Sequence, residues 1–400
     1  MEGVVAIPRE VQLFSKLLTA AVIGLALLAG GCAGAQQTTN LPQAAITSQV
    51  SAGSAETAAT VTTTSETATT TQPRLSSTTS TTLATIEIGW AGDTTLGSSY
   101  GDPPQQGRAL FSQLRSLLSQ PDVMIVNLEG TLSVGGTSKS SGQASSNSYS
   151  FQAPPANATA LKWAGIDLVN LANNHSHDYL ASGLDQTEHA LTKEGVKYTG
   201  LPGQITILRA NGVSVAVLGF APYSWTANLA DIPQAQKLVE RAASKADLVV
   251  VIMHAGAEGS DQTHTPQGAE YDYGEFRGQT RSFAHAVVDA GADLVLGSGP
   301  HVLRGIERYK GRLIAYSLGD FAGWGNFGLA GNLDLSGLLT VRLDKRGNLL
   351  SGHWYSLRLD APGVPKIDAG KASLHLVQQL SQEDFSDTFG LSSQGVISAK

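Results

Sequence analysis

Apolar positions are spread unevenly along this chain of 400 residues. From Ile86 onward, short apolar runs alternate with longer stretches where large apolar residues recur at three- and four-residue spacing. The first kind reads as strands, the second as helices. Ile86 to Trp90 alternates and breaks at Ala91-Gly92-Asp93. Val123 to Asn127 is a continuous run ending at Leu128-Glu129, and Asp167 to Ala172 ends at Asn173-Asn174-His175. Val213 to Phe220, Asp247 to Met253 and Ala292 to Leu296 read as further strands; the second reaches His254 and the third runs into Gly297-Ser298-Gly299-Pro300-His301. Helical spacing covers Gly183 to Glu194, Ile232 to Lys245 and Thr280 to Ala290. Four shorter strands, Ile306 to Tyr309, Arg312 to Leu318, Gly337 to Leu343 and Gly352 to Leu359, lie close enough together to be partly antiparallel.

Strands alternating with helices, then a run of strands, predict an α/β domain over residues 86–360: two mixed β-sheets packed together and flanked by helices. Two polar stretches interrupt it. Gly135 to Tyr149 is rich in Gly and Ser and reads as a mobile loop, while Glu258 to Gly278 is expected to fold over the site. Residues 361–400 read as a C-terminal tail whose one helical stretch is Leu374 to Leu380.

The first 85 residues have another character. Arg9 and Lys16 precede the apolar run Leu17 to Ala29, and small residues lead to Cys32. That order describes a secretory signal over residues 1–32, and the run is short of the roughly 20 residues of a spanning helix. Cys32 after small residues resembles a bacterial lipobox, with Ala29 where Leu is commonest; the alternative is an ordinary cleaved signal. Lipidation at Cys32 would place the domain on the extracytoplasmic face of the cell membrane. Residues 33–85 are Thr, Ser, Ala and Gln with few large apolar residues, too little to offset the entropy of ordering, and are expected to be a disordered tether.

Composition narrows the chemistry. Lys+Arg number 26 against 33 Asp+Glu, a net charge of −7 with no basic cluster, which argues against nucleic acid as partner. One cysteine excludes an intrachain disulfide and a cysteine-based zinc site. Any metal must therefore be held by His, Asn and carboxylates, and these residues recur at predicted strand ends, where open α/β sheets gather their ligand sites. Three strands deliver Asn174 with His175, His254 and His301; two earlier ones deliver Asp93 and Glu129.

Six motifs in order carry a resemblance to a known family: Gly92-Asp93-Thr94-Thr95-Leu96-Gly97, Asn127-Leu128-Glu129, Phe151 through Tyr179, His254-Ala255-Gly256-Ala257-Glu258, Pro300-His301-Val302 and Tyr316-Ser317-Leu318-Gly319-Asp320-Phe321. Over roughly 86–345 the chain resembles the CapA family of poly-γ-glutamate capsule biosynthesis proteins, within the calcineurin-like metallophosphoesterase group. The resemblance implies a metallophosphatase-like αββα sandwich holding a divalent metal (Mn, Zn or Fe), one or two ions. By it, Asp93, Glu129, Asn174, His254 and His301 are metal ligands and His175 is an acid oriented by Asp178. Asn173, Glu258 and Asp320 are candidate substrate contacts, Asp320 replacing the family's usual Asn. Three departures thin the site: Thr95 and Gly299 stand where the larger group has histidine ligands, and Asn127-Leu128-Glu129 replaces its Gly-Asp-x-x-Asp motif. The implied function is synthesis or export of capsule or poly-γ-glutamate. The chain would be either a metal-dependent hydrolase or transferase of an envelope polymer or phosphoester, or a non-catalytic subunit beside capsule-synthesis membrane proteins. Fold analogy alone does not decide between them.

Overall fold

The computed structural model describes residues 83–141, 149–387 and 390–399. The signal, Cys32 and nearly all of the tether lie outside the described residues, as does much of the Gly/Ser-rich loop after Gly135. Among the described residues no helix is long and apolar enough to cross a membrane.

Two mixed sheets form the frame. In the nine-stranded sheet the main order is Val364–Ile367, Leu349–Asp360, Leu335–Asp344, Thr85–Thr94, Val123–Leu128, Leu168–Asn170 and Lys197–Thr199. Asp320–Ala322 adds to Thr85–Thr94 and Val396–Ser398 to Leu349–Asp360. The six-stranded sheet runs Ile306–Tyr309, Arg312–Ala315, Leu294–Ser298, Leu248–His254, Val213–Phe220 and Thr206–Ala210. Its central strands are parallel and both edge strands antiparallel.

Side-chain alternation along each strand dictates the layering. Ile86, Ile88 and Trp90, with Val123 and Ile125, share one core with Val213, Val215, Val217, Leu248, Val250 and Ile252 from the facing sheet. The intervening residues point outward. Met124, Val126 and Val169 pack on Leu110, Leu161 and Leu191 of the helices over the larger sheet. Ala216, Leu218, Val249 and Val251 pack on Leu238, Val239, Phe283 and Val287 of Ile232–Ala243 and Thr280–Asp289. The result is helix, sheet, sheet, helix, the αββα sandwich. Strands buried on both faces need apolar residues throughout, which is why they read as unbroken apolar runs.

Three expectations change. The first strand continues past Ala91 to Thr94, because Asp93 and Thr94 pair with Asn127 and Leu128 on one side and with Asp320 and Ala322 on the other. Gly92 makes this possible: a Cβ there would fall 1.8 Å from the Gly319 carbonyl oxygen. The polar stretch after Glu258 contains a hairpin, Glu270–Asp272 with Glu275–Gly278. Finally, the expected C-terminal tail is built into the fold. It supplies two strands of the larger sheet and the helix Ala372–Phe385, whose Leu374 and Val377 belong to the core between the sheets.

Candidate metal centre

The strand ends of both sheets meet along one edge. Asp93 and Glu129 come from adjacent parallel strands of the larger sheet, His254 and His301 from adjacent strand ends of the smaller one. Asp93, Glu129 and His254 have no solvent exposure, and one ligand atom from each lies within 4.8 Å of the others. His254 Nε2 is 3.6 Å and His301 Nε2 3.7 Å from Glu129 Oε1. Asp93 Oδ1 accepts from Asn127 Nδ2 at 2.7 Å and Oδ2 from the Gly299 amide at 3.1 Å.

Among the described residues, neither oxygen of Glu129 has a hydrogen-bond partner, and neither does His254 Nε2. A buried carboxylate left without donors is costly, several kcal/mol by order of magnitude, and two such groups facing each other mark the place a cation would satisfy. Carboxylate and imidazole donors suit a borderline divalent metal, so the residues present fit one. Asn174 Oδ1 is likewise buried and has no partner among the described residues.

The electrostatics are those of a cation site. Burial and the neighbouring Asp93 charge push Glu129 well above the usual carboxylate range. Burial also works to raise Asp93, but hydrogen bonding and charge from His254, with the charge of His301, hold it below its ordinary value. Burial depresses His254. It opposes the imidazolium of His301 too, yet the carboxylates of Glu129, Asp320 and Glu258 outweigh it and hold His301 well above an ordinary histidine. Burial pushes Asp320 up to about 7 even though His301 Nδ1 lies 2.7 Å from its Oδ1. A separation of 2.7 Å is a hydrogen bond rather than the spacing of two ligands on one ion. Asp320 thus orients the His301 ring and leaves Nε2 as its ligating atom.

His175 stands beside this cluster, on a cavity of about 460 Å³ that His301, Glu258, Asp272, Tyr273 and Phe327 also line. Its Nδ1 lies 2.8 Å from Asp178 Oδ2, and the Phe151 ring packs 4.4 Å from its own. Asp178 is fully buried, accepts from the Phe151 amide and pairs with Lys139 at 2.6 Å. Burial lowers the His175 pKa against the pull of Asp178.

One expected role moves. Asn173, expected as a substrate contact, is completely buried with its amide fully engaged. Nδ2 donates to Asn127 Oδ1 and the Leu128 carbonyl, and Oδ1 accepts from the His175 and Ser176 amides. It shapes the His175 turn instead. Asp320 lines the cavity beside Glu258 as well as holding His301. Sequence reasoning gave no site role to Asn127, named only within a motif, or to Asn170, inside an apolar run; Asn170 Nδ2 donates to Asn127 Oδ1 at 2.8 Å. Lys139 and Arg277 carried no sequence signal. Thr95 is no ligand, since its hydroxyl donates to the Glu129 carbonyl, and His264 pairs with Asp384 away from the cluster.

The family model for the bacterial capsule synthesis protein PGA_cap matches residues 87–323. The chain belongs to this family. The capsule biosynthesis protein CapA of Bacillus anthracis is 34% identical over 188 residues, covering 41% of this chain and 43% of that protein. The PGA biosynthesis protein CapA of Bacillus subtilis (strain 168) is 32% identical over 184 residues, covering 41% and 45%. A probable polyglutamine synthesis accessory protein of Mycobacterium tuberculosis (strain ATCC 25618 / H37Rv) is 28% identical over 272 residues, covering 60% and 66%. The chain thus spans less than half the length of the two Bacillus relatives. Among solved structures it is similar to a 5′-nucleotidase precursor from Thermus thermophilus (TM-score 0.41, 16% identity, covering 74% of this chain and 58% of that one). It is also similar to the calcineurin-like phosphoesterase YfkN from Bacillus subtilis (TM-score 0.40, 13% identity, covering 76% and 98%). The family match runs from the Asp93 strand through Asp320, so the residues gathered at this edge fall inside the PGA_cap region.

Proposed function

We propose that this PGA_cap member is a metal-dependent hydrolase or transferase acting on a phosphoester or envelope polymer in the synthesis or export of capsule or poly-γ-glutamate. The observation that carries it is the convergence of unpartnered, buried Glu129 oxygens and His254 Nε2 beside a His175–Asp178 pair facing an open cavity. Asp93, Glu129, His254, His301 and Asn174 would hold one or two divalent ions, Mn, Zn or Fe. A bound ion there would polarise a substrate oxygen and lower the pKa of water.

The chain's own residues supply the rest. Asp178 holds Nδ1 of His175, so Nε2 is the nitrogen that hands a proton to a leaving group. Phe151 shields one face of that ring, and Asn173 fixes the turn that carries it. In this reading Cys32 carries a lipid anchor, and the domain works at the outer face of the membrane beside polymer-synthesis proteins.

One observation favours the second reading, a binding subunit without catalysis. Gly299 cannot be restored to a ligand in place, because a Cβ would fall 2.9 Å from the Ala255 nitrogen. Metal analysis of the purified protein, with His254→Ala and His301→Ala and an assay on bis-p-nitrophenyl phosphate and γ-glutamyl peptides, separates the readings. Bound metal, lost in the variants, with turnover supports the enzyme. Metal without turnover supports the binding subunit. No metal uptake, and no rise in melting temperature on adding metal, overturns the metalloprotein reading itself.

A further inference from the structure

We infer that Glu258 is a metal ligand, supplied by the polar insertion of residues 258–278 to a centre that Gly299 leaves one ligand short. The inference rests on the metal reading above. It concerns a residue that sequence reasoning placed against substrate.

The geometry starts at His301. Its Nδ1 is taken by Asp320, so Nε2 is the free nitrogen. Nε2 lies 3.7 Å from Glu129 Oε1 and 3.8 Å from Glu258 Oε2. Both separations exceed a hydrogen bond. They approach the roughly 3.4 Å between neighbouring ligand atoms that metal bonds near 2.1 Å impose in a tetrahedral site. Glu129 Oε1 is buried and, among the described residues, without a donor, so no internal hydrogen bond occupies it.

Glu258 is held for this role by its other oxygen. Oε1 pairs with Arg277 Nη1 at 2.5 Å, and Arg277 is itself almost wholly buried. The backbone is fixed from both ends of the insertion: the Gly256 amide donates to the Arg277 carbonyl at 2.8 Å, and the Ala257 amide to Glu270 Oε2 at 3.1 Å. Glu270 in turn is gripped by Arg304. A carboxylate needed only to neutralise Arg277 would not require its second oxygen beside His301 and a cavity. At 28% side-chain exposure Glu258 sits at the mouth of the site, where a ligand can be donated without closing it to substrate.

The test is calorimetric titration of the metal-stripped full chain with Mn²⁺ and with Zn²⁺, and the visible spectrum of its Co²⁺ form. Glu258→Gln keeps an acceptor for Arg277 and is expected to bind at least about tenfold more weakly, the scale on which even outer partners of a ligand act, with a shifted Co²⁺ band. Glu258→Asp should fall between wild type and Gln. Glu275→Gln removes a charge from the hairpin of the same insertion, away from the cavity lining, and should change affinity less than about twofold. Wild-type affinity and an unchanged Co²⁺ band in Glu258→Gln overturn the assignment, as does equal weakening by Glu258→Gln and Glu275→Gln. If wild type takes up no metal, the metal reading fails and Glu258 with it, an outcome distinct from the other two.

Discussion

Arg304 is the residue on which the position of the insertion depends most directly. It is 1% exposed; it donates to Glu270 through Nη1 at 3.1 Å and Nη2 at 2.7 Å, and its Nε donates to the Gln262 carbonyl at 2.9 Å. Arg304→Met retains the apolar stem and removes the charge. Among the described residues, Glu270 would keep the Thr280 hydroxyl at 2.6 Å and the Ala257 amide at 3.1 Å. Breaking a buried pair by removing one partner costs about 3–5 kcal/mol. Two charge-assisted hydrogen bonds at about 1.5–3 kcal/mol each give an overlapping range of about 3–6 kcal/mol. Because the two remaining donors soften the loss, the lower half is expected. Urea unfolding at neutral pH measures it, and amide exchange over residues 256–278 shows whether the insertion opens before the core. The double variant Arg304→Met/Glu270→Met should recover at least half of the loss, since the stranded charge is then gone. A single variant within about 0.5 kcal/mol of wild type, with unchanged exchange in the insertion, would refute the reasoning.

Other expectations follow from the same geometry. His175→Gln should lower kcat by about 10²–10⁴-fold, the usual worth of a positioned proton donor, while metal content stays at the wild-type value. Loss of metal would instead make His175 a ligand. Hydrogen bonds from the Ser214 hydroxyl and amide, helped by Lys345, draw Asp247 down from 3.8 to about 2. A carboxylate lowered by folding stabilises above its unfolded pKa and loses that contribution as pH falls. The stability gap between wild type and Asp247→Asn should therefore be full near neutrality and close between pH 3.8 and about 2; a gap that widens there would be contrary. Gly299→Ala should lower stability by about 1–3 kcal/mol, because Gly299 has φ 112° and a Cβ would press on Ala255. Gly299→His should not raise metal stoichiometry, and a higher metal count in that variant would show that the backbone yields.

Much of the frame is legible in the sequence because most of its central strands are buried on both faces. Val213–Phe220 and Leu248–His254 could hardly look otherwise. The carboxylates and histidines at the strand ends are legible for the complementary reason: a polar residue that closes such a run sits where the sheet stops. What stayed hidden is held by polar contacts. The hairpin after Glu258 is anchored by the Arg304–Glu270 and Arg277–Glu258 pairs, so it has no apolar rhythm to read. The helix Ala372–Phe385 is legible over Leu374 to Leu380, but not its docking, which buries Ser373 and Ser381 with their hydroxyls on Trp354 and the Ile306 amide. In sequence those serines look solvated. Asn173 misled in the same way, as a buried amide looks like an exposed one until its partners are known.

That Asp93 and Glu129 belong to one sheet while His254 and His301 leave the other has a mechanical consequence. An ion held by all four would act as a rivet through the sandwich, joining segments more than 200 positions apart in a chain whose single cysteine allows no internal disulfide. Its binding energy would be set against separation of the layers rather than against motion of one loop. The two sheets would be clamped together at the edge that carries the cavity lined by His175, Glu258 and His301.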